Sequence, residues 1–174
     1  WKKPPRLEDA WLPAYIVFGE GIFLELNEEK LQGWESDMQV IRRIAPLAQR
    51  DLLARAAKGL RVRPVYPRYV LLHTIAHLLM NRLTFECGYS SASLRERLFV
   101  SENPAGRMAG ILIYTAAGDA EGTMGGLVRM GKSGYLEPVI QRALDAAGWC
   151  SADPVCMEMG TRGGQGPDSC NLAA

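Results

Sequence analysis

The pattern of hydrophobic and polar positions predicts short strands alternating with helices. Residues 15–18 and 22–26 are rich in β-branched and aromatic side chains, and the glycine-containing turn at 19–21 favours an N-terminal β-hairpin. Residues 69–86 are apolar on nearly every side at helical spacing, which is typical of a central, buried helix. Residues 109–115 predict a buried strand. The expected fold class is therefore mixed α/β (α+β), with a buried helix packed on a small sheet.

Further helices are expected around this core. Asn27 is a favourable N-cap followed by acidic residues, so a helix should begin there. Pro46 should interrupt this helix, and a second stretch should end at Gly59. Two shorter helices are predicted at residues 90–98 and 135–147.

The composition divides the chain into three parts. Residues 1–13 are charged and rich in proline and predict a linker, residues 14–149 form the mixed α/β domain, and residues 150–174 form an irregular, cysteine-containing tail. Because the first residue is Trp1 and not Met, we expect the chain to be a piece of a longer polypeptide. No apolar run reaches the length of a membrane span, so a membrane partner is not expected.

The charge is balanced overall but unevenly distributed. The 174 residues carry 20 Lys and Arg against 19 Asp and Glu, whereas residues 38–68 carry eight basic side chains and one acidic one. Such a run can follow a phosphate backbone, and it can equally be a solvated helix face or a surface docked on the acidic first segment. The candidates for DNA phosphate contact are Arg42, Arg43, Arg50, Arg55 and Lys58.

A pair of histidines lies on the buried helix. His73 and His77 are four residues apart, the spacing of helical metal sites, but Thr74 stands where zinc proteases carry the glutamate that activates water. Cys87 would lie about 15 Å farther along the helix, too far to share an ion with the pair. We expect two core histidines hydrogen-bonded to buried groups, with a polar pair in a cleft as the alternative.

Two carboxylates, Asp119 and Glu121, follow the strand at 109–115. They could hold Mg²⁺, or they could belong to a tight turn whose side chains cap neighbouring amides. A nuclease or hydrolase is the enzymatic alternative for this chain, and it requires these carboxylates to converge with His73 and His77.

Residues 126–133 match the letters of the phosphate-binding loop G-x-x-x-x-G-K-[ST]. The mechanism of that loop also requires a strand leading directly into the first glycine and a helix beginning at the lysine. Here the preceding strand ends near Thr115, and Gly134 is a poor residue for the start of a helix. Nucleotide binding is therefore not expected.

Three of the four cysteines are concentrated in the tail. Cys150 and Cys156 are spaced C-x5-C, and Cys170 follows 14 residues later. Tetrahedral zinc takes four ligands, and the tail offers at most three. A structural metal, a disulfide and unpaired buried thiols all fit this spacing. A domain of this size does not need disulfides, which favours a reducing, cytoplasmic location.

Several stretches together are similar to the zinc-binding domain of MrfA-type DNA-repair helicases. The same domain is found in DrmB, the partner of the helicase DrmA in the DISARM anti-phage system, and the predicted hairpin resembles the DrmB form more than the helicase form. The resemblance covers roughly residues 14–174. The stretches that carry it are residues 73–79, 86–90, 94–97, 110–114, 121–127 and 150–156.

The resemblance implies roles for the tail and for the chain. Cys150 and Cys156 would be two of the four ligands of a structural zinc ion, and the family's remaining C-x2-C pair would follow Ala174. Cys170 does not occupy a ligand position of the family pattern. The implied function is a non-catalytic, DNA-binding module that assists a superfamily-2, DrmA-like helicase in phage defence, with ATP hydrolysis on the helicase. A purely protein-docking module is the alternative.

Overall fold

The computed structural model describes residue 16 and residues 18–62, 64–89, 93–115 and 125–148. The predicted mixed α/β (α+β) class is confirmed. In chain order the helices and strands are β1 (Gly21–Glu25), α1 (Glu28–Glu35), α2 (Met38–Ala57), α3 (Pro67–Cys87), β2 (Leu94–Ser101), β3 (Met108–Thr115), α4 (Gly126–Met130) and α5 (Leu136–Ala146).

The strands form one antiparallel sheet with β3 in the centre, between β1 and β2. β3 carries the fully buried Ile111 and Ile113, and the register places Ile22 of β1 and Glu96 of β2 on either side of Ile113. β1 is the second strand of the predicted N-terminal hairpin and pairs with β3. Residues 15 and 17, in the first strand of that hairpin, lie outside the described residues.

Helix α3 is the centre of the core, as the apolar pattern predicted. Leu72, Ala76 and Leu83 are fully buried in the cluster that also contains the inner face of the sheet. The helix contacts β2, β3 and each of the other described helices, and it ends at Gly88 in the left-handed conformation (φ 72°). Neither α3 nor any other helix in the described ranges is long and apolar enough to cross a membrane.

The break between α1 and α2 is not where the sequence predicted it. The Asn27 side chain accepts a hydrogen bond from the Lys30 amide at 2.9 Å, so α1 begins as expected. The helix ends at Glu35, and Asp37 caps a new helix by accepting from the Gln39 amide at 2.7 Å. α2 then continues through Pro46. The proline removes one hydrogen bond of the helix, and that loss does not end it. The boundary lies instead at the Asp37 cap.

The prediction of a helix at residues 90–98 was wrong, because residues 94–101 form strand β2. Leu94, Glu96 and Leu98 alternate with Arg95 and Arg97, which is the period of a strand with one face towards the core. Arginine and glutamate favour helices on their own, but pairing with β3 along the whole strand outweighs that preference.

A buried arginine ties three elements together. The side chain of Arg68, at the start of α3, is 1% exposed. It donates to both carboxylate oxygens of Glu35 at 2.8 and 2.7 Å, to Glu28 at 2.9 Å and to the Ser101 carbonyl at 2.9 Å. The hydrogen bonds from Arg68, before any other contribution, lower the pKa of Glu28 to about 2. The cluster fixes α1 against the beginning of α3 and the end of β2.

The buried residue Glu20 connects the segment before β1 to Tyr89, to the end of β3 and to the beginning of α4. Its oxygens accept hydrogen bonds from the Tyr89 hydroxyl and from the Gly125 and Val128 amides, the last two at 3.0 Å. Its own amide donates to the Thr115 hydroxyl at 3.1 Å. Burial, followed by the hydrogen bond to Glu20, raises the pKa of Tyr89 to about 12.

Candidate functional site

Helix α3 and strand β2 bring three potential metal ligands together: His73, His77 and Glu96. His73 Nδ1 lies 2.9 Å from Glu96 Oε1, and His77 Nε2 lies 3.8 Å from the same oxygen. One ligand atom from each residue lies within 4.8 Å of the other two. Within the described ranges, this is the one group of three or more such residues with metal-binding spacing. We call it the His–His–Glu cluster.

Ring contacts along α3 orient the two histidines. The ring of Tyr69, one turn earlier, lies parallel to the His73 ring with centroids 5.9 Å apart and an angle of 5° between the planes. The His77 ring, one turn later, meets His73 edge to face at 4.5 Å. One nitrogen of each imidazole, Nδ1 of His73 and Nε2 of His77, faces Glu96 on β2.

Glu96 occupies an unusual position for a carboxylate. It lies on the inward face of β2, between Leu94 and Leu98 and opposite the fully buried Ile113. Glu96 Oε2 is buried without a hydrogen-bond partner among the described residues, and the same is true of His73 Nδ1. Buried polar atoms in folded proteins are nearly always hydrogen-bonded, so two unpartnered atoms in one cluster call for an explanation.

The cluster differs from the sequence-based expectation for the histidines. His77 is 46% exposed, so the two residues are not a pair of core histidines, and His73 Nδ1 forms no hydrogen bond within the described part of the chain. Cys87 is not in the cluster, as the helical rise predicted. Asp119 and Glu121 lie outside the described residues. Sequence reasoning missed Glu96 because residues 90–98 were assigned to a helix.

The five basic candidates for DNA contact lie on α2 and at its end, and they are not equivalent. Arg42, Arg43 and Lys58 are exposed, and Arg50 is half-buried. Arg55 donates to the buried carboxylate of Asp51 at 2.7 Å. The charge of Arg55 is therefore compensated within the helix.

The outward face of the sheet carries a second group of cations beside aromatic rings. Arg95 and Arg97 are exposed on β2, and the Arg97 guanidinium lies 5.7 Å from the centroid of the Phe99 ring. Phe23 of β1 meets Phe99 edge to face at 5.8 Å and is 55% exposed. The incorrect helix at 90–98 also hid this face from sequence reasoning.

The segment with the letters of a phosphate-binding loop does not have the required geometry. Helix α4 begins at Gly126, and the next helix begins at Leu136, so no helix starts at Lys132. This agrees with the expectation that residues 126–133 do not bind a nucleotide.

Of the predicted metal ligands, Cys150 and Cys156 lie outside the described residues, as does Cys170.

Comparison with known proteins identifies the family. Residues 75–171 match the family described as MrfA Zn-binding domain, which is more than half of the chain. The chain belongs to this family. The match confirms the resemblance seen in the sequence, and it includes His77 and Glu96 and all four cysteines of this MrfA Zn-binding domain.

The domain is also similar to a curated bacterial protein. It is 41% identical over 153 residues to the DISARM protein DrmB of Bacillus paralicheniformis. The similarity covers 87% of this chain and 27% of the relative, so the chain spans about a quarter of the length of the curated relative it matches.

Proposed function

We propose that this MrfA Zn-binding domain is a non-catalytic, DNA-binding module of a DISARM-type anti-phage defence complex, where it assists a superfamily-2, DrmA-like helicase in the cytoplasm. The observation that carries the proposal is the 41% identity with DISARM protein DrmB, which extends over 87% of the chain. Similarity of this extent supports a shared role in the same kind of complex.

The DNA-binding surface in this proposal is the outward side of α2. At about 100° per residue, Arg42, Arg43 and Arg50 lie within about 100° of one another around the helix and span about 12 Å along it. Basic side chains in such a row can contact successive phosphates. Lys58 lies at the end of the helix, and Arg55 also donates to Asp51.

The zinc ion in this proposal is structural and is held in the tail. Cys150 and Cys156 supply two thiolate ligands, and the family description supports zinc as the metal. ATP hydrolysis belongs to the helicase partner. The absence of a helix start at Lys132 supports this division, because the phosphate-binding loop needs the helix amides that face the phosphates.

An electrophoretic mobility shift assay tests the proposal. A purified DrmA-like helicase is titrated against labelled duplex DNA with and without the full-length protein. Since two linked DNA-binding modules act by effective concentration, the protein should lower the apparent Kd by about 10-fold or more and shift the complex further.

The other outcomes of this assay each contradict part of the proposal. If a parallel pull-down shows that the two proteins bind each other but the apparent Kd for DNA is unchanged, the chain is a protein-docking module and the DNA assignment is wrong. If the protein binds neither helicase nor DNA, the proposal as a whole fails. Cleavage of the DNA by the protein alone would favour the nuclease alternative.

A further inference from the structure

We propose that His73, His77 and Glu96 bind a divalent transition metal ion, with Zn²⁺ as the preferred ion, at a site separate from the cysteines of the tail. The ligand atoms in this proposal are a carboxylate oxygen of Glu96 and the two nitrogens that face it, Nδ1 of His73 and Nε2 of His77. Two imidazoles and one carboxylate are a common protein ligand set for zinc. The site goes beyond the proposed function, which places its zinc on cysteine.

The separations between the ligand atoms fit a tetrahedral ion. Zinc bonds to nitrogen and carboxylate oxygen are about 2.0–2.2 Å long, which places two ligand atoms of a tetrahedral site about 3.3 Å apart. The separations of 2.9 Å from His73 to Glu96 and 3.8 Å from His77 to Glu96 lie on either side of that value. All three ligand atoms lie within 4.8 Å of one another, a spacing that one metal ion can span.

The hydrogen-bonding pattern favours a metal over an ion pair. In an ion pair, the proton on His73 Nδ1 would point at the carboxylate and form a hydrogen bond at 2.9 Å. The two atoms are at that distance, yet Nδ1 forms no hydrogen bond. Glu96 Oε1 therefore does not lie along the Nδ1–H direction of His73, and both atoms stay available as ligands of one ion.

The buried oxygen of Glu96, Oε2, also favours a nearby cation. Its neighbours on the inward face of β2 are Leu94 and Leu98, and Arg95 and Arg97 alternate onto the opposite face. Within the described ranges, the basic side chains that lie beside Glu96 are those of the two histidines. A divalent ion held by both imidazoles would compensate the carboxylate, whereas an uncompensated buried charge is strongly unfavourable.

The occupied site would keep one coordination position for a water molecule or a small ligand, because it has three protein ligands. Thr74 follows His73 where zinc proteases carry glutamate, so the site lacks that general base. The parallel Tyr69 ring on His73 holds the imidazole plane in position for the ion.

Titration with Co²⁺ tests the proposal. The full-length protein is stripped with a chelator and compared with the variants His77→Gln, Glu96→Gln and Cys150→Ser. Glu25→Gln is the matched control, because it makes the same substitution at an exposed strand position. Bound cobalt is counted per chain, and thiolate-to-cobalt absorption separates cysteine ligands from the His–His–Glu cluster.

We expect His77→Gln and Glu96→Gln to bind one Co²⁺ per chain fewer than the wild type, with at least about 100-fold weaker affinity at that site and unchanged thiolate absorption. Cys150→Ser should lose the thiolate absorption and keep the other ion, and Glu25→Gln should match the wild type. A competition titration should show Zn²⁺ displacing the cobalt.

The design separates this proposal from a folding defect and from the proposed function. His77 is 46% exposed, so its replacement by glutamine should leave the circular dichroism spectrum unchanged. If His77→Gln and Glu96→Gln bind as much cobalt as the wild type, the cluster is not a metal site. Loss of every bound ion in Cys150→Ser would also overturn the proposal. Neither result bears on the helicase and DNA assay.

Discussion

Reversing the charge of Arg42, Arg43 and Arg50 to glutamate is expected to weaken binding to duplex DNA on the order of 100-fold near 0.1 M salt. Each phosphate contact releases bound counterions, so log Kd depends on log salt concentration with a slope of about 0.9 per contact. Loss of three contacts should reduce the slope by about 2 to 3. Fluorescence anisotropy at several salt concentrations measures both the affinity and the slope.

The matched control reverses three exposed charges elsewhere: Arg95, Arg97 and Lys132. This variant has the same net charge as the α2 variant, so a general electrostatic effect would lower the affinity of both equally. An unchanged slope in the α2 variant would refute the assignment of DNA contact to α2. A loss confined to the control variant would move the DNA-binding surface from α2 to the region of Arg95, Arg97 and Lys132.

Replacing Arg68 with methionine should lower the free energy of unfolding by about 3–5 kcal/mol. The substitution keeps an apolar stem at a position whose side chain is 1% exposed, but it removes the hydrogen bonds that Arg68 donates to Glu28, to Glu35 and to the Ser101 carbonyl. Urea denaturation followed by circular dichroism measures the loss. A change below about 1 kcal/mol, typical of exposed ion pairs, would show that the cluster does not hold the three elements together.

The acid dependence of stability provides a second readout of the same cluster. The pKa of Glu28 is lowered from 4.5 to about 2 in the folded protein, chiefly by hydrogen bonds from Arg68. Its contribution to stability is therefore complete above pH 4.5 and is lost as the pH falls towards 2. In Arg68→Met this part of the acid loss should disappear, because the pKa of Glu28 returns towards its usual value.

Arg107→Gln is the control for both Arg68 measurements. Arg107 also donates to Glu28, at 3.2 Å, but its side chain is 35% exposed. We expect its replacement to cost less than about 1 kcal/mol and to preserve most of the acid dependence. Equal effects of the two substitutions would contradict a special role for the buried arginine.

The elements that the sequence predicted well are those whose signals are local. α3 has a continuous apolar pattern with a glycine at its end, and the Asn27 cap and the α2 stop at Gly59 depend on residues within one turn. The strand β3 is a short apolar run, typical of a buried central strand. These features follow from a few neighbouring residues and need no knowledge of the rest of the chain.

The features that the sequence did not predict depend on distant partners. β2 is a strand because β3 pairs with it, and its own arginines and glutamate favour a helix. Because the sequence predicts a helix where β2 lies, it gives no sign that Glu96 is the third member of the His–His–Glu cluster. Arg68 was counted in the basic segment, but its partners Glu28 and Glu35 are 40 and 33 residues away, and nothing local indicates its burial.

The hydrogen bonds of Glu20 bear on where an autonomous folding unit can begin. The family match starts at residue 75, inside α3, so a fragment cut there would lose the first turns of that helix together with β1. The central strand β3 would then have an unpaired edge. The Gly125 and Val128 amides would lose Glu20, the acceptor of their hydrogen bonds. The smallest unit that can fold alone must therefore begin no later than Glu20. Strand β1 is then a part of the folded module.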